Sequence, residues 1–269
     1  TSSQTTPKSA RTFEHFEDIK HPSQAQRSGL TWAWFDLMSA RRAARCLPPL
    51  PLRLPRFYFD LDSPYQVVAF VVDDEFYSET KFQGLDVIPW SEALEKYPPL
   101  DYSIHVALSY RGLNALRESK FNQCKKVGYE LVSYVSSKAT IFPDLKLGSN
   151  CFILENQNIR PRVTLEDNVM LWSGNHIGHG TTISDHAYLA SHVVISGHVS
   201  VGARCFIGVN ASVRDFINIG EDCFIGMSGV VTRDLLPGSV VLPARSEIVP
   251  GSDAKAKRLI TSTFGSFDN

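Results

Sequence analysis

The chain reads as a mainly β protein in which a small α/β unit precedes a solenoid of stacked parallel strands. Three observations predict it. An aliphatic residue returns at every sixth position from Val135 to Val231, a small or apolar residue follows four positions later, and glycine often comes directly after the aliphatic.

The first register holds Val135, Ile141, Leu147, Ile153, Ile159, Leu165, Leu171, Ile177, Ile183, Leu189, Ile195, Val201, Ile207, Val213, Ile219, Ile225 and Val231. Such residues make up about a quarter of a typical chain, so chance would give this run with a probability on the order of 10⁻¹⁰. Neither the 3.6 period of a helix nor the 2 of a strand explains it. A hexapeptide period marks short parallel strands, three to a triangular coil, and residues 135–236 suffice for roughly five to six coils. The second register, from Ala139 through Cys151, Gln157, Asn175 and Cys205 to Gly229, supplies small side chains for the remaining interior. Glycines at 148, 178, 202, 208, 220 and 226 are expected at corners that need permissive dihedrals.

Upstream, residues 1–56 are rich in Ser, Thr, Gln, Arg and Pro, and Pro48 to Pro55 disfavours helix and sheet alike. This segment is expected to be poorly ordered. Residues 57–134 look globular. Gln66–Val72 reads as a buried strand ending at Asp73 and Asp74, Ser91 as the cap of a helix over 92–96, and Ile104–Leu108 as a second strand. A helix over 111–121 and a strand over 128–132 follow. This alternation predicts a Rossmann-like α/β domain with a parallel sheet. Pro237, Pro243 and Pro250 end the solenoid, and residues 237–269 form a C-terminal tail with a short basic helix over 254–259.

The formal net charge of −1 gives no bulk attraction to nucleic acid or to an anionic membrane. No span approaches the ~20 apolar residues of a membrane helix. Leu30 to Met38 is a short apolar run after a basic patch, but the Arg-rich stretch behind it is a poor cleavage site for a secretory signal. Of five cysteines, Cys151, Cys205 and Cys223 fall in the small interior register, which fits a reducing, cytoplasmic setting.

The segment Leu171-Trp-Ser-Gly-Asn-His-Ile-Gly-His-Gly, with Ser191-His-Val-Val-Ile-Ser-Gly-His and Cys205-Phe-Ile-Gly-Val-Asn-Ala, resembles the sugar N-acetyltransferases of the hexapeptide-repeat superfamily. The nearest group acetylates nucleotide-linked amino sugars of the sialic-acid and bacillosamine pathway type, and the resemblance covers roughly residues 57–250. It implies a left-handed parallel β-helix, a homotrimer, acetyl-CoA as co-substrate and no metal. It implies His179 as general base and Gly197 as the residue whose N–H faces the thioester oxygen. It places Tyr188, Val209 and Met227 along the pantetheine arm. Asp73 and Asp74 are candidates for the nucleotide-sugar, and so are His176 and Asn175, although Asn175 with Gln157 also reads as a buried amide ladder.

The chain departs from that family pattern in three places. An acidic residue often follows the base, and here that position is Gly180, with Asp185 or Asp167 as possible substitutes. The first strand and its Gly-rich turn are expected just before Arg56, yet Arg41 to Pro55 contains no glycine, which suggests a mis-translated segment from a shifted frame or wrong start. The last coil carries Val241-Leu-Pro-Ala-Arg245, a near match to the usual ending. Of the remaining histidines, His186, His192 and His198 share one register and are expected at solvent or subunit interfaces. His198, one coil above His179, is placed to orient it.

Spacing agrees with this reading. His179 and Gly197 are 18 residues apart, so they stack on successive coils about 4.8 Å apart. Amine attack on a thioester needs both a base and a donor for the oxygen that gains charge. The alternatives are an O-acyltransferase of the same fold, a γ-carbonic-anhydrase-like zinc enzyme using the dense histidines, and a non-catalytic trimeric scaffold. Arg204, Arg214, Arg233, Lys255, Lys257 and Arg258 could meet the CoA phosphates, or form a solvated face.

Overall fold

The computed structural model describes residues 30–34, 54–243 and 246–265. The α/β unit comprises β1 (Leu30–Trp34), α1 (Leu54–Asp62), β2 (Gln66–Val72), β3 (Lys81–Phe82), β4 (Leu85–Pro89), α2 (Trp90–Lys96), β5 (Ser103–Val106), α3 (Ala115–Lys126) and β6 (Glu130–Leu131). Its sheet runs in the order β3-β4-β2-β1-β5-β6. Every pairing is parallel except that of the edge strand β3 with β4. Strand β1 lies at the centre, with β2 on one side and β5 on the other, so the winding reverses there.

Several expectations shift. The α/β unit begins before residue 57, because β1 forms from the first half of the apolar run that had been weighed as a targeting signal. Its Leu-Thr-Trp-Ala-Trp sequence is rich in residues that favour strands. Helix α1 starts at Leu54, and Pro55 falls in its first turn, where a missing N–H costs no hydrogen bond. Residues 1–29 and 35–53, and with them most of the glycine-free stretch, lie outside the described residues. Helix α3 starts four residues later than expected because Gly112, Leu113 and Asn114 all have left-handed φ values, of 62°, 50° and 68°. Helix α2 starts at Trp90, and Ser91 does not cap it. Instead Asp74 Oδ1 accepts from Ser91 N at 3.0 Å and from Ser91 Oγ at 3.1 Å.

The solenoid is a three-sided left-handed parallel β-helix. Its strands are two residues long and pair with strands 18 positions away, as Phe152 with Met170, His176 with Val194 and Thr182 with Ser200. The aliphatic register and the register four residues on fill the prism, and from Cys151 to Ile225 their side chains are nearly all sealed from solvent. The coil continues past Pro237, since Val240–Val241 pairs with Phe224–Ile225. A proline-terminated end at 236 is therefore two strand residues short of the observed one. The C-terminal helix α4 runs over Ala254–Phe264, longer than expected, and Asp253 caps it through Lys255 N at 2.7 Å. Residues 244–245 of the family-like ending lie outside the described residues.

Corner geometry differs from the expectation in an informative way. The glycines after the aliphatic do not have left-handed dihedrals. They are needed because a Cβ there would strike the next rung: at Gly178 it would meet Ser196 C at 2.3 Å, and at Gly148 Glu166 C at 2.5 Å. The left-handed residues come two positions later, at every sixth residue from Asn150 to Ser228. They include His186, His192 and His198, and Asn, Asp and His tolerate that region better than most side chains.

One prism face carries Tyr134, Phe152, Met170 and Tyr188 outward, and the α/β unit covers it with Phe59, Val67, Phe70, Val72 and Val87. A polar clasp locks the junction. Arg117 of α3 is buried and donates through Nη2 to His186 O at 2.6 Å and to Asn114 Oδ1 at 3.1 Å. Its Nη1 donates to both the carbonyl and the side-chain oxygen of Asn168. Asn150, Asn168 and His186 stack as a ladder, with 2.8 Å between successive amide and ring groups. Burial drives the Arg117 guanidinium pKa down to about 10. Nearby, buried His105 donates from Nδ1 to Val132 O at 2.9 Å and packs on Phe59 and Phe152. Burial pushes its pKa down to about 4.

Two outcomes follow. Arg117→Met strands the buried acceptors on Asn168, His186 and Asn114. It should cost roughly 2–5 kcal/mol, read as a fall in the urea midpoint. His105 is neutral in the folded chain down to pH about 4, whereas the unfolded chain takes up its proton near pH 6.5. Stability therefore falls as pH drops from 6.5 towards 4, by roughly 3 kcal/mol from this group. The difference in urea stability between wild type and His105→Phe across that window should show it, with the variant flatter.

Candidate active site

The corner after the strand His176–Ile177 is built from Gly178, His179 and Gly180. On the next rung the same corner is Ser196, Gly197 and His198. His179 is exposed. Its ring turns up onto Gly197, where a Cβ would lie 2.7 Å from His179 Cε1 and 2.9 Å from Nε2. No other side chain at position 197 leaves room for the imidazole where it stands.

The Gly197 N–H has a register-specific direction. The N–H groups in the same register at Ser149 and Asp167 donate outward, to Asp167 Oδ1 and Asp185 Oδ1, each at 2.8 Å. Among the described residues, no acceptor is recorded for Gly197 N–H. An imidazole and a free backbone donor therefore share one open corner. Asp167 and Asp185 are engaged on a different corner, so neither stands in for an acidic partner at Gly180.

His176 lies on the same flank, half-buried on the face shared with Asn158 and Val194. Val209 and Met227 stand at the opposite edge of that face, one rung apart and exposed. The structure thus brings His176, His179 and Gly197 to one edge and sets Val209 and Met227 across from them.

Other candidates lie elsewhere. Tyr188 is on the face covered by the α/β unit, stacked on Phe206 at 5.3 Å and edge-on to Tyr110 at 5.1 Å. Burial raises its phenol pKa. Asn175 is inside the prism, where its amide donates to Trp172 O at 2.5 Å and accepts from Val193 N at 2.7 Å. Gln157 also donates to Trp172 O, at 2.7 Å. Both amides are buried as the interior register requires, but they form no ladder: each donates to Trp172 O rather than to the other, and Gln157 Oε1 has no partner among the described residues. Substrate contact by Asn175 is corrected, since its polar atoms face the core. Asp73 accepts from Lys120 Nζ at 2.5 Å and Asp74 is held by Ser91, so each spends an oxygen internally at the end of β2. Arg204 is clamped by Asp222 and Glu221 at 2.7–2.9 Å, which removes it from the cations free to meet phosphates.

His186 departs from the interface expectation, being buried against α3 with Glu118 3.8 Å from Nε2. Burial lowers its pKa, and Glu118 partly offsets that. The thiols of Cys151 and Cys205 are pushed up to about 12 by burial, which suits packing rather than nucleophilic chemistry. Among the described residues no group of three His, Cys, Asp or Glu is arranged to hold a metal ion. No described helix is long and apolar enough to cross a membrane. Sequence reasoning missed Arg117 and Phe216. The first sits in a helix of low amphipathicity, and the second occupies a left-handed corner where a phenyl ring is unexpected.

No known protein family profile matches the chain, and no curated protein matches it. Solved structures do. A variant of perosamine N-acetyltransferase from Caulobacter crescentus, in complex with CoA and GDP-perosamine, is 22% identical over 81% of this chain and 97% of its own, with a TM-score of 0.62. The acetyltransferase domain of PglB from Neisseria gonorrhoeae is 17% identical over 81% and 100%, at 0.61. WeeI from Acinetobacter baumannii is 18% identical over 82% and 100%, at 0.58. At these identities the likeness shows the shared architecture, an α/β unit leading into a left-handed β-helix, along nearly the whole length of each.

Proposed function

We propose that the chain is an acetyl-CoA-dependent N-acetyltransferase acting on a nucleotide-linked amino sugar, of the kind that feeds cell-surface polysaccharide synthesis in the cytoplasm. The observation that carries this reading is the exposed His179 ring held against Gly197, beside an N–H with no partner among the described residues. The neighbouring perosamine enzyme binds CoA and GDP-perosamine, and PglB's acetyltransferase domain binds acetyl coenzyme A.

His179 takes the proton that the sugar amine releases as its N–C bond forms. Gly197 N–H donates to the oxygen that takes on charge. Acetyl-CoA supplies the activated acetyl group, its C–S bond breaking as the amide forms, and the proton on His179 returns to the departing sulfur. Val209 and Met227 offer an apolar edge for the pantetheine arm. The nucleotide fits the crevice at the carboxyl ends of β1 and β5, where the winding reverses and where ligands of open parallel sheets bind. Asp73 and Asp74, at the end of the adjacent β2, lie on that side of the sheet.

A homotrimer completes the site. The face between the two corners exposes Val194 and Val230, flanked by Phe216 and Met227, and a threefold assembly would cover them.

The test is release of free thiol from acetyl-CoA with GDP-, dTDP- and UDP-linked amino sugars. His179→Ala should lower kcat by about 10²–10⁴-fold. Gly197→Ala, which adds a methyl under the imidazole, should lower it by roughly 10²-fold with the fold intact by circular dichroism. Absence of thiol release with every donor and acceptor would overturn the proposal in favour of a scaffold. Sedimentation at three times the chain mass checks the trimer.

A further inference from the structure

His179 and Gly180 sit on one rung, Gly197 and His198 on the next, and the rings cross over. His179 leans up onto Gly197, while His198 leans down onto Gly180, where a Cβ would lie 2.7 Å from His198 Nδ1 and 2.8 Å from Cε1. The rings meet edge to face, with centroids 4.8 Å apart and planes at 89°. Backbone bonding fixes the pair, since His198 N donates to His179 O at 2.8 Å. From the rung above, Phe216 lies flat on His198, 5.1 Å away at 9°.

This arrangement closes position 180 to a carboxylate. Gly180 has φ of 67°, and any side chain there would enter the His198 ring. A second imidazole fills the space that the acidic partner expected after the base would take.

We propose that His198 is the positioning residue for His179, backed by Phe216, and that it acts by ring packing rather than by charge. The contact stands on geometry alone; its consequence for turnover rests on the acetyl-transfer reading. No hydrogen bond from the His198 ring is recorded among the described residues, which is why shape is assigned the role. Phe216 has φ of 57°, the same as His198, so a phenyl ring already fits this register one rung up.

The experiment uses full-length protein with labelled histidine at pH 8. Wild type should show a nuclear Overhauser effect between the His179 and His198 rings. His198→Ala should lower kcat by roughly 10–100-fold, with KM for acetyl-CoA changed by less than about two-fold and the thermal midpoint retained. His198→Phe should recover kcat to within about three-fold of wild type. Phe216→Ala gives a second route, with a smaller loss of kcat in the same direction. The positioning role is overturned if the ring-to-ring effect is missing, if His198→Ala turns over like wild type, or if His198→Phe is as slow as His198→Ala. A wild type that shows the ring contact but no turnover sinks the acetyl-transfer reading instead.

Discussion

The spacing between rungs governs this molecule. Parallel strands must lie one hydrogen-bond repeat apart, about 4.8 Å, and up to Val231 each paired strand residue therefore stands over the one 18 positions earlier, the last pairings shortening to 16. Inside the prism this forces aliphatic on aliphatic. At some corners it leaves no room for a Cβ: at Gly178 an added carbon would sit 2.3 Å from the neighbouring backbone, although Leu154, Glu166 and Ser196 carry side chains in the same register. The same closeness lets one rung's imidazole rest on the next rung's glycine. The candidate site is a local use of the constraint that builds the whole solenoid.

The left-handed corner register has two uses. On the edge beneath the α/β unit it holds Asn150, Asn168 and His186, whose side chains stack, and Arg204; Arg117 and Asn114 donate to backbone oxygens of this register, and Glu118 lies 3.6 Å from Arg204 Nη1. This edge is buried at Asn150, Asn168 and His186 and partly exposed at Arg204 and Glu118, and it fixes one domain on the other. On the edge after His176 the same register holds Gly180, His198 and Phe216, which is open to solvent except where rings cover one another. A buried cation needs acceptors, and both terminal nitrogens of Arg117 have them although its Nε has none among the described residues, whereas an exposed imidazole needs only orientation. Their surroundings differ in just that respect.

The solenoid was legible in the sequence because its period is strict and its interior faces are one residue type deep. His179 above Gly197 was legible for the same reason, as arithmetic on 18. The cause of the glycines was not, since close approach and permissive dihedrals leave the same residue in the sequence and only the backbone angles separate them. The start of the α/β unit was obscured because β1 is short and separated from β2 by a long basic and proline-rich stretch, so no local alternation announced it. Tyr188 was placed at the site by family resemblance, and Asn175 as a candidate beside His176. Face and depth depend on which side the second domain covers and which way the coil turns, and neither is written in the period. Arg117 left no pattern at all, because its partners are carbonyls more than 50 residues away.

The glycine directly after His179, where an acid is expected, bears on what such a site can acylate. An attacking amine becomes acidic as its bond to carbon forms, so an imidazole with no carboxylate behind it can take the proton. A hydroxyl stays only weakly acidic until late in the reaction and calls for a stronger base, the usual role of a carboxylate behind histidine. Here that position is filled by His198, whose ring packs edge to face on His179 and so contributes direction. Within the proposed reading, the geometry that excludes a carboxylate at Gly180 therefore favours nitrogen over oxygen as the acceptor atom, and does so through space-filling at one corner rather than through any contact with the sugar.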